Sequence, residues 1–314
     1  MPPKVLCVVG PTACGKTTLG VLLARRLGGE IVSCDSMQIY RGMEIGTAAP
    51  TMEERQGIAH HMVGIADPAE SYSAARFARE ARQCTDGILR RGKLPIFVGG
   101  TGLYLDAVLA GHEFARGCAG GAVRERLQRQ LEQEGVEPLL ARLREVDPAS
   151  AERLHPSDRK RIVRALEVFE ETGIPQSVHH ANSQTVPPRY EASYIGLRFA
   201  DREEMKRRID RRVDAMVERG LLEEVRTLLR SGVPPTATSL QAIGFKEFLA
   251  VAEGSLSERE AIELVKLRSR QYAKRQLSWL RRNESIFWIE WAEERDFSRA
   301  LQIATDYAIA QGLG

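Results

Sequence analysis

Residues 8–18 read VVGPTACGKTT, behind the apolar run Val5, Leu6 and Cys7 and ahead of LGVLLARRLG. No other stretch limits the possible folds as tightly. Gly10, Gly15, Lys16 and Thr17 fit G-x-x-x-x-G-K-[ST], a pattern in which a buried strand turns through a glycine-bounded loop into a helix. In the loop of Gly10, Pro11, Thr12, Ala13, Cys14 and Gly15, backbone N–H groups converge on phosphate oxygens, and the helix N-terminus adds partial positive charge. Lys16 supplies a point charge, and the Thr17 hydroxyl is a ligand for Mg²⁺. A diphosphate group is the expected ligand. The cradle leaves open whether it belongs to a nucleotide that is spent or to a leaving group.

The rest of the chain supplies the context such a loop requires. Apolar runs ending in glycine or polar residues at VLCVVG, EIVSCD, LPIFVGG, YIGLRF and SIFWIE read as buried strands. Helical spacing predicts helices over 16–27, 73–91, 124–145, 157–172, 201–230 and 257–282, the last opening on Ser257 and Glu260 as a capping box. Strands alternating with helices imply the α/β class: a P-loop core with a parallel sheet flanked by helices. Residues 117–188, bordered by RGCAGG and TVPPRY, carry helices without a convincing strand, so they are expected to form an inserted helical domain, with 1–116 and 189–314 as the core. From Asp296 onward the pattern is an amphipathic helix packed on that core.

An apolar content of 43% with 28% charged residues is that of an ordinary soluble globular protein. The apolar runs are too short to span a bilayer and MPPK is no signal-peptide start, so a cytosolic protein without membrane contact is expected. Five cysteines without a Cys-x-x-Cys pair suggest buried, reduced thiols rather than disulfides or zinc. A net charge of +3 does not by itself argue for nucleic acid, but its distribution does. Arg159, Lys160, Arg161 and Arg164 crowd the first turns of one helix, and Lys266, Arg268, Arg270, Lys274, Arg275, Arg281 and Arg282 form a second run without an intervening acid. Two such runs in a nearly balanced protein point to a polyanion track.

Asp35 ends EIVSCD, at the strand end that faces the ligand crevice in an open parallel sheet. It is either a Mg²⁺ carboxylate, as in a nucleotide hydrolase, or a general base directed at a second substrate. Thr101 emerges at the same edge from LPIFVGGTGLY, where a glycine pair admits a bulky partner. Arg208 and Arg212, four apart on one helix, either clamp phosphate or pair with Glu204.

The stretches GPTACGKT, DSMQIYRGMEIGTA, IFVGGTGLYL, HPSDRKRIVRALEVFEETG, SLQAIGFKEF and RQYAKRQLSWLRR, in that order, resemble the signatures of bacterial tRNA dimethylallyltransferases, also called tRNA isopentenyltransferases. The resemblance runs from about residue 5 to residue 283. It implies transfer of a dimethylallyl group from dimethylallyl diphosphate to N6 of the adenosine just 3′ of the anticodon, in tRNAs that read codons starting with U. It also implies Mg²⁺ and a helical insertion that grips the anticodon stem-loop, and a monomer is expected. Cys14 stands where serine is common, and RGCAGGAV before Arg124 is irregular.

On this resemblance Asp35 is the base, Thr101 orients the amine, and Lys16, Thr17 with Mg²⁺, and Arg208 or Arg212 hold the departing pyrophosphate. It places tRNA contacts at Asp35, Ser36, Met37 and Gln38, at Thr101, and at Arg124. It places others at Lys160, Arg161, Ile162, Val163 and Arg164, and at Gln241, Ala242, Ile243, Gly244, Phe245 and Lys246. A last group comprises Lys274, Arg275, Gln276, Leu277, Ser278, Trp279, Leu280 and Arg281. The competing reading is a kinase that uses ATP and holds Mg²⁺ through Asp35. Beyond it stands an RNA-binding protein whose P-loop is regulatory.

Overall fold

A computed structural model describes residues 2–111, 121–292 and 294–313. Its contacts gather into two compact units, Met1–Leu109 with Tyr190–Gly314, and Ala110–Arg189. The helical unit thus starts at Ala110, ahead of the border expected at 117, which, like Cys118, lies outside the described residues.

The larger unit begins with β1 (Lys4–Val9), α1 (Lys16–Leu27), β2 (Gly29–Cys34), α2 (Met52–Arg55), β3 (His60–His61), α3 (Ala74–Arg90), β4 (Leu94–Gly99) and α4 (Gly102–Leu109). The inserted unit holds α5 (Ala122–Glu134), α6 (Glu137–Val146), α7 (Pro148–Arg153), α8 (Arg159–Thr172) and α9 (Gln176–Gln184). The larger unit resumes with β5 (Glu191–Phe199), α10 (Arg202–Glu218), α11 (Leu221–Arg230), a 3₁₀ turn (Ser239–Gln241), α12 (Phe245–Ala252), α13 (Glu258–Leu280), β6 (Ile286–Trp291) and α14 (Phe297–Ala310). The helix expected from Asp296 is α14, and the Asp296 carboxylate caps it by accepting from Arg299 N.

Six parallel strands form one sheet in the order β3-β2-β4-β1-β5-β6. Side chains alternate between its faces with the period of two that strands impose. Val5, Cys7 and Val9 of β1 join one apolar core with Val32 and Phe97, while Leu6 and Val8 join another with Ile31, Ile96 and the inner face of α1. A third core, of Leu127, Leu139, Leu143, Ile162 and Leu166, holds the helical unit.

Register decides where the functional loops emerge. Val9 lies opposite Gly99, and Gly99 opposite Cys34, so β1, β4 and β2 end in one row. The next residues are Gly10, Gly100 and Asp35, which brings the glycine loop, Thr101 and Asp35 to one sheet edge.

Two helices expected as continuous are broken. Arg124–Glu145 divides at Gly135 (φ 82°) and Asp201–Arg230 at Gly220 (φ 96°). Positive φ ends a right-handed helix, and only glycine adopts it without steric cost, so apolar periodicity resuming beyond the break hid both turns. Strand β3 escaped because two residues carry no periodicity.

Glu30 anchors the β2 side of the sheet. Its buried carboxylate accepts from Arg91 Nη2 (2.6 Å), His61 Nε2 (2.7 Å) and Lys93 Nζ (2.9 Å). These bonds, that from Arg91 foremost, hold the carboxyl at about 2 rather than near 4.5. A depressed acid contributes stability above its unfolded value and loses it as pH falls through the folded one. We expect the thermal midpoint to drop between about pH 4.5 and 2 with uptake of one proton, and Glu30→Gln to flatten that slope. Melting curves across this range check it. An equal slope in the variant would assign the transition to other carboxylates.

Candidate active site

The turn out of β1 carries the cradle, with Gly15 in the left-handed region (φ 92°) immediately before α1. Phe297 covers Gly15 so closely that a Cβ there would come 2.8 Å from its Cζ. Lys16 Nζ donates to Pro11 O at 2.7 Å, and burial lowers the pKa of this ammonium. Burial likewise pushes the Cys14 thiol up, so it remains a neutral packing group beneath the loop. Two distant side chains brace the loop. Gln276 of α13 accepts from Thr12 N (2.8 Å) and donates to Gly100 O (3.0 Å), and Trp291 Nε1 donates to Cys14 O (2.7 Å). The bulky partner admitted beside the glycine pair is thus Gln276, with Trp279 lying against Gly102.

Asp35 follows β2 and turns back on its own loop. Its Oδ1 accepts from Met37 N (2.9 Å) and Gln38 N (3.3 Å). Thr101 Oγ1 accepts from Ser36 N (3.2 Å), and Thr101 N donates to Cys34 O (3.1 Å), tying the Asp35 loop to β4. Gln38 donates from Nε2 to Thr47 O and Ala48 O, both at 3.4 Å. The Glu224 carboxylate accepts from Ile45 N (2.7 Å) and Gly46 N (2.8 Å), fixing the same wall from α11.

Two cavities meet at this edge. One, of about 440 Å³, is lined by Gly15, Lys16, Thr17, Arg208, Arg212 and further polar groups. The other, of about 310 Å³, is lined by Ile209, Val213, Met216, Ile243 and Val265. Thr12, Asp35, Arg212 and Tyr272 line both. A charged chamber therefore adjoins an apolar one, with a carboxylate at their junction. This arrangement suits a ligand with an ionic head and an apolar tail.

Of the arginine pair, Arg208 pairs with Glu204 and Arg212 does not, while both line the charged cavity. Arg208 Nε donates to Glu204 Oε1 (2.6 Å) while lining the charged cavity, and Arg212 Nη2 donates to Thr47 O (3.2 Å). Arg211, Arg219 and Arg295 line that cavity as well and were not anticipated. Helical spacing from Arg208 would have suggested Arg211, whereas Arg295 stands in no motif.

The polyanion track is narrower than the sequence implies, because acids from other helices neutralise part of it. Lys266 pairs with Asp214 (2.7 Å), Arg270 with Asp210 (2.8 Å) and Arg268 with buried Glu247. Lys274, Arg275, Ser278, Arg281 and Arg282 remain exposed, with Arg275 over the Tyr272 ring. Gln276 and Leu280 are buried, and Leu277 and Trp279 half-buried. Of Gln241 to Lys246 only the two end residues stand exposed, since Ala242, Gly244 and Phe245 are buried and Ile243 partly so. In the helical unit Ile162 and Val163 are core residues, so their side chains are withdrawn from any RNA-facing surface. Arg124 (2.9 Å) and Arg164 (2.7 Å) share fully buried Glu167, leaving Arg159, Lys160 and Arg161 exposed.

Among the described residues no group of three or more His, Cys, Asp or Glu side chains is arranged to hold a metal. The Thr17 hydroxyl, on the charged cavity, suits Mg²⁺, which takes few protein ligands and completes its shell with phosphate oxygens and water.

Residues 38–283 match the family model described as IPP transferase, and residues 3–63 match that described as isopentenyl transferase. A tRNA dimethylallyltransferase of Heliobacterium modesticaldum is 44% identical over 309 residues, covering 98% of this chain and 96% of its own. The crystal structure of a tRNA isopentenylpyrophosphate transferase from Bacillus halodurans superposes with TM-score 0.72 at 40% identity, over 99% of this chain and 96% of that one. A eukaryotic dimethylallyltransferase acting on tRNA superposes with TM-score 0.82 at 31% identity, over 98% of this chain and 80% of that one. These are names of prenyl-transferring enzymes, not of kinases.

Proposed function

Because this chain belongs to the IPP transferase family, we propose that it transfers the dimethylallyl group of dimethylallyl diphosphate to tRNA. The acceptor is N6 of the adenosine just 3′ of the anticodon, in tRNAs that read U-initial codons, and pyrophosphate is released. What carries this reading is the Asp35 carboxylate shared by the charged and the apolar cavity.

The cradle amides and Lys16, with Arg208 and Arg212, offset the charge that grows on the departing diphosphate. Bound Mg²⁺, held through Thr17, would supply further positive charge to those oxygens. The apolar cavity shields the allylic carbon from water, which would otherwise compete with the amine. The adenine N6 lone pair is delocalised into the ring, so the amine attacks well only as it loses a proton. The C–O bond to diphosphate breaks, the C–N6 bond forms, and the N6 proton passes to Asp35. Asp35 Oδ1 is occupied by Met37 N and Gln38 N, while Oδ2 has no hydrogen-bond partner among the described residues. That oxygen is the acceptor for the proton. Thr101 orients the amine beside it.

The adenosine must leave its stack to reach the junction, at low cost in a single-stranded loop. Exposed Lys274, Arg275 and Arg281 are suited to the anticodon arm's phosphates, as are Lys160 and Arg161 on the helical unit. The protein acts as a monomer on one tRNA. Among the described residues no helix is long and apolar enough to cross a membrane.

The direct test incubates the protein with unmodified tRNA, Mg²⁺ and dimethylallyl diphosphate, followed by nuclease digestion and mass spectrometry of the nucleosides. An adenosine heavier by one isoprene unit is expected. Turnover of ATP without prenylated adenosine, in folded protein, would return the kinase reading.

A further inference from the structure

We propose that Arg295, in the segment between β6 and α14, is a diphosphate-binding residue, so that the C-terminal segment completes the donor site. The inference rests on the charged cavity being the diphosphate chamber.

Three side chains of residues 291–297 close on the glycine loop. Trp291 Nε1 holds Cys14 O at 2.7 Å, and Phe297 covers Gly15. Trp291 and Phe297 meet edge to face with centroids 5.2 Å apart, and the Arg295 guanidinium lies over the Phe297 ring, 5.5 Å from its centroid. Arg295 thereby faces the cavity that Gly15, Lys16 and Thr17 line.

Its charge is uncompensated there. Among the described residues Arg295 has no ion-pair partner. Burial foremost, and then the like charges of Arg208 and Arg211, lower its pKa. The acid that bears on it, Glu204, is already shared by Arg207 (2.8 Å), Arg208 (2.6 Å) and Arg211 (3.5 Å). Glu204 is thus engaged by three other guanidiniums, of which Arg207 also meets Asp201 (3.5 Å), and does not answer the charge that Arg295 presents to the chamber. A half-buried cation among cations is unfavourable in the empty protein and is relieved by a polyanion. Packing on Phe297 orients the guanidinium but leaves its charge unanswered, and the diphosphate answers it.

The test measures binding of inorganic pyrophosphate with Mg²⁺ by calorimetry in the full chain, for wild type, Arg295→Gln and Arg295→Met. The methionine variant keeps an apolar stem over Phe297 and so guards against misfolding. A bond to a charged group contributes roughly 1.5–3 kcal/mol, so pyrophosphate affinity is expected to fall at least about tenfold in both variants. The KM for dimethylallyl diphosphate should rise by a greater factor than kcat falls, and tRNA affinity should stay as in wild type. Arg295→Lys should retain part of the affinity that the other two variants lose. Pyrophosphate affinity within twofold of wild type in Arg295→Met would overturn the proposal, leaving Arg295 as a packing residue on Phe297. Because the probe is pyrophosphate alone, failure of prenyl transfer in the wild-type protein would be seen separately.

Discussion

Replacing Asp35 by asparagine should slow prenyl transfer by roughly 10²–10⁴-fold, the range that general base catalysis supplies. Asparagine is the informative choice because it keeps the local architecture. Its carbonyl oxygen still accepts from Met37 N and Gln38 N, so the turn behind β2 and the Ser36 contact with Thr101 persist. What is lost is an oxygen able to take the N6 proton. Affinities for tRNA and for dimethylallyl diphosphate should therefore stay near wild type, with the deficit in single-turnover rate at saturating substrates. A variant that transfers at the wild-type rate would remove Asp35 from the proton path. Collapse of donor binding with Mg²⁺ would instead make it a metal carboxylate.

Replacing Lys16 by alanine should reduce kcat/KM for the donor by roughly 10²–10³, as loss of one preorganised charge donor does at other developing anions. Lys16 is poised over its own loop, its ammonium bonded to Pro11 O, so little reorganisation precedes contact with the diphosphate. The proposed tRNA contacts do not include Lys16, and tRNA affinity should not change. The pH dependence has a definite sign. Burial lowers the Lys16 pKa, so the cation is lost as pH rises through a value below that of an ordinary lysine. The donor KM should rise on the alkaline side in the wild type, and this limb should vanish in Lys16→Ala. Steady-state kinetics across the alkaline range measures both. An alanine variant with unaltered donor kinetics would show that the loop amides and arginines suffice.

Parts of this site were legible in the sequence because their geometry is local. Strand β1, the glycine loop and α1 are covalently contiguous, and their spacing alone fixes where Lys16 and Thr17 stand. Asp35 and Thr101 were legible as residues just past strand ends. The basic run of α13 misled because its neutralising acids, Asp210, Asp214 and Glu247, lie on α10 and α12, about 20 to 60 residues away along the chain. Within Gln241–Lys246 and Lys160–Arg164, motif and exposure part company: Phe245, Ile162 and Val163 fill cores and leave their charged neighbours outside.

The sequence by itself determined the cradle, the parallel α/β class and the two strand-end residues. Each depends on spacing within one strand–loop–helix step, which bond geometry and side-chain alternation dictate. Tertiary structure alone decided which charges pair with acids of other helices, that Gln276 and Trp291 brace the loop, and that Arg295 lines the charged cavity. The bracing contacts join segments more than 170 residues apart, and their pairing depends on how packed helices and the sheet share one interior rather than on any local pattern.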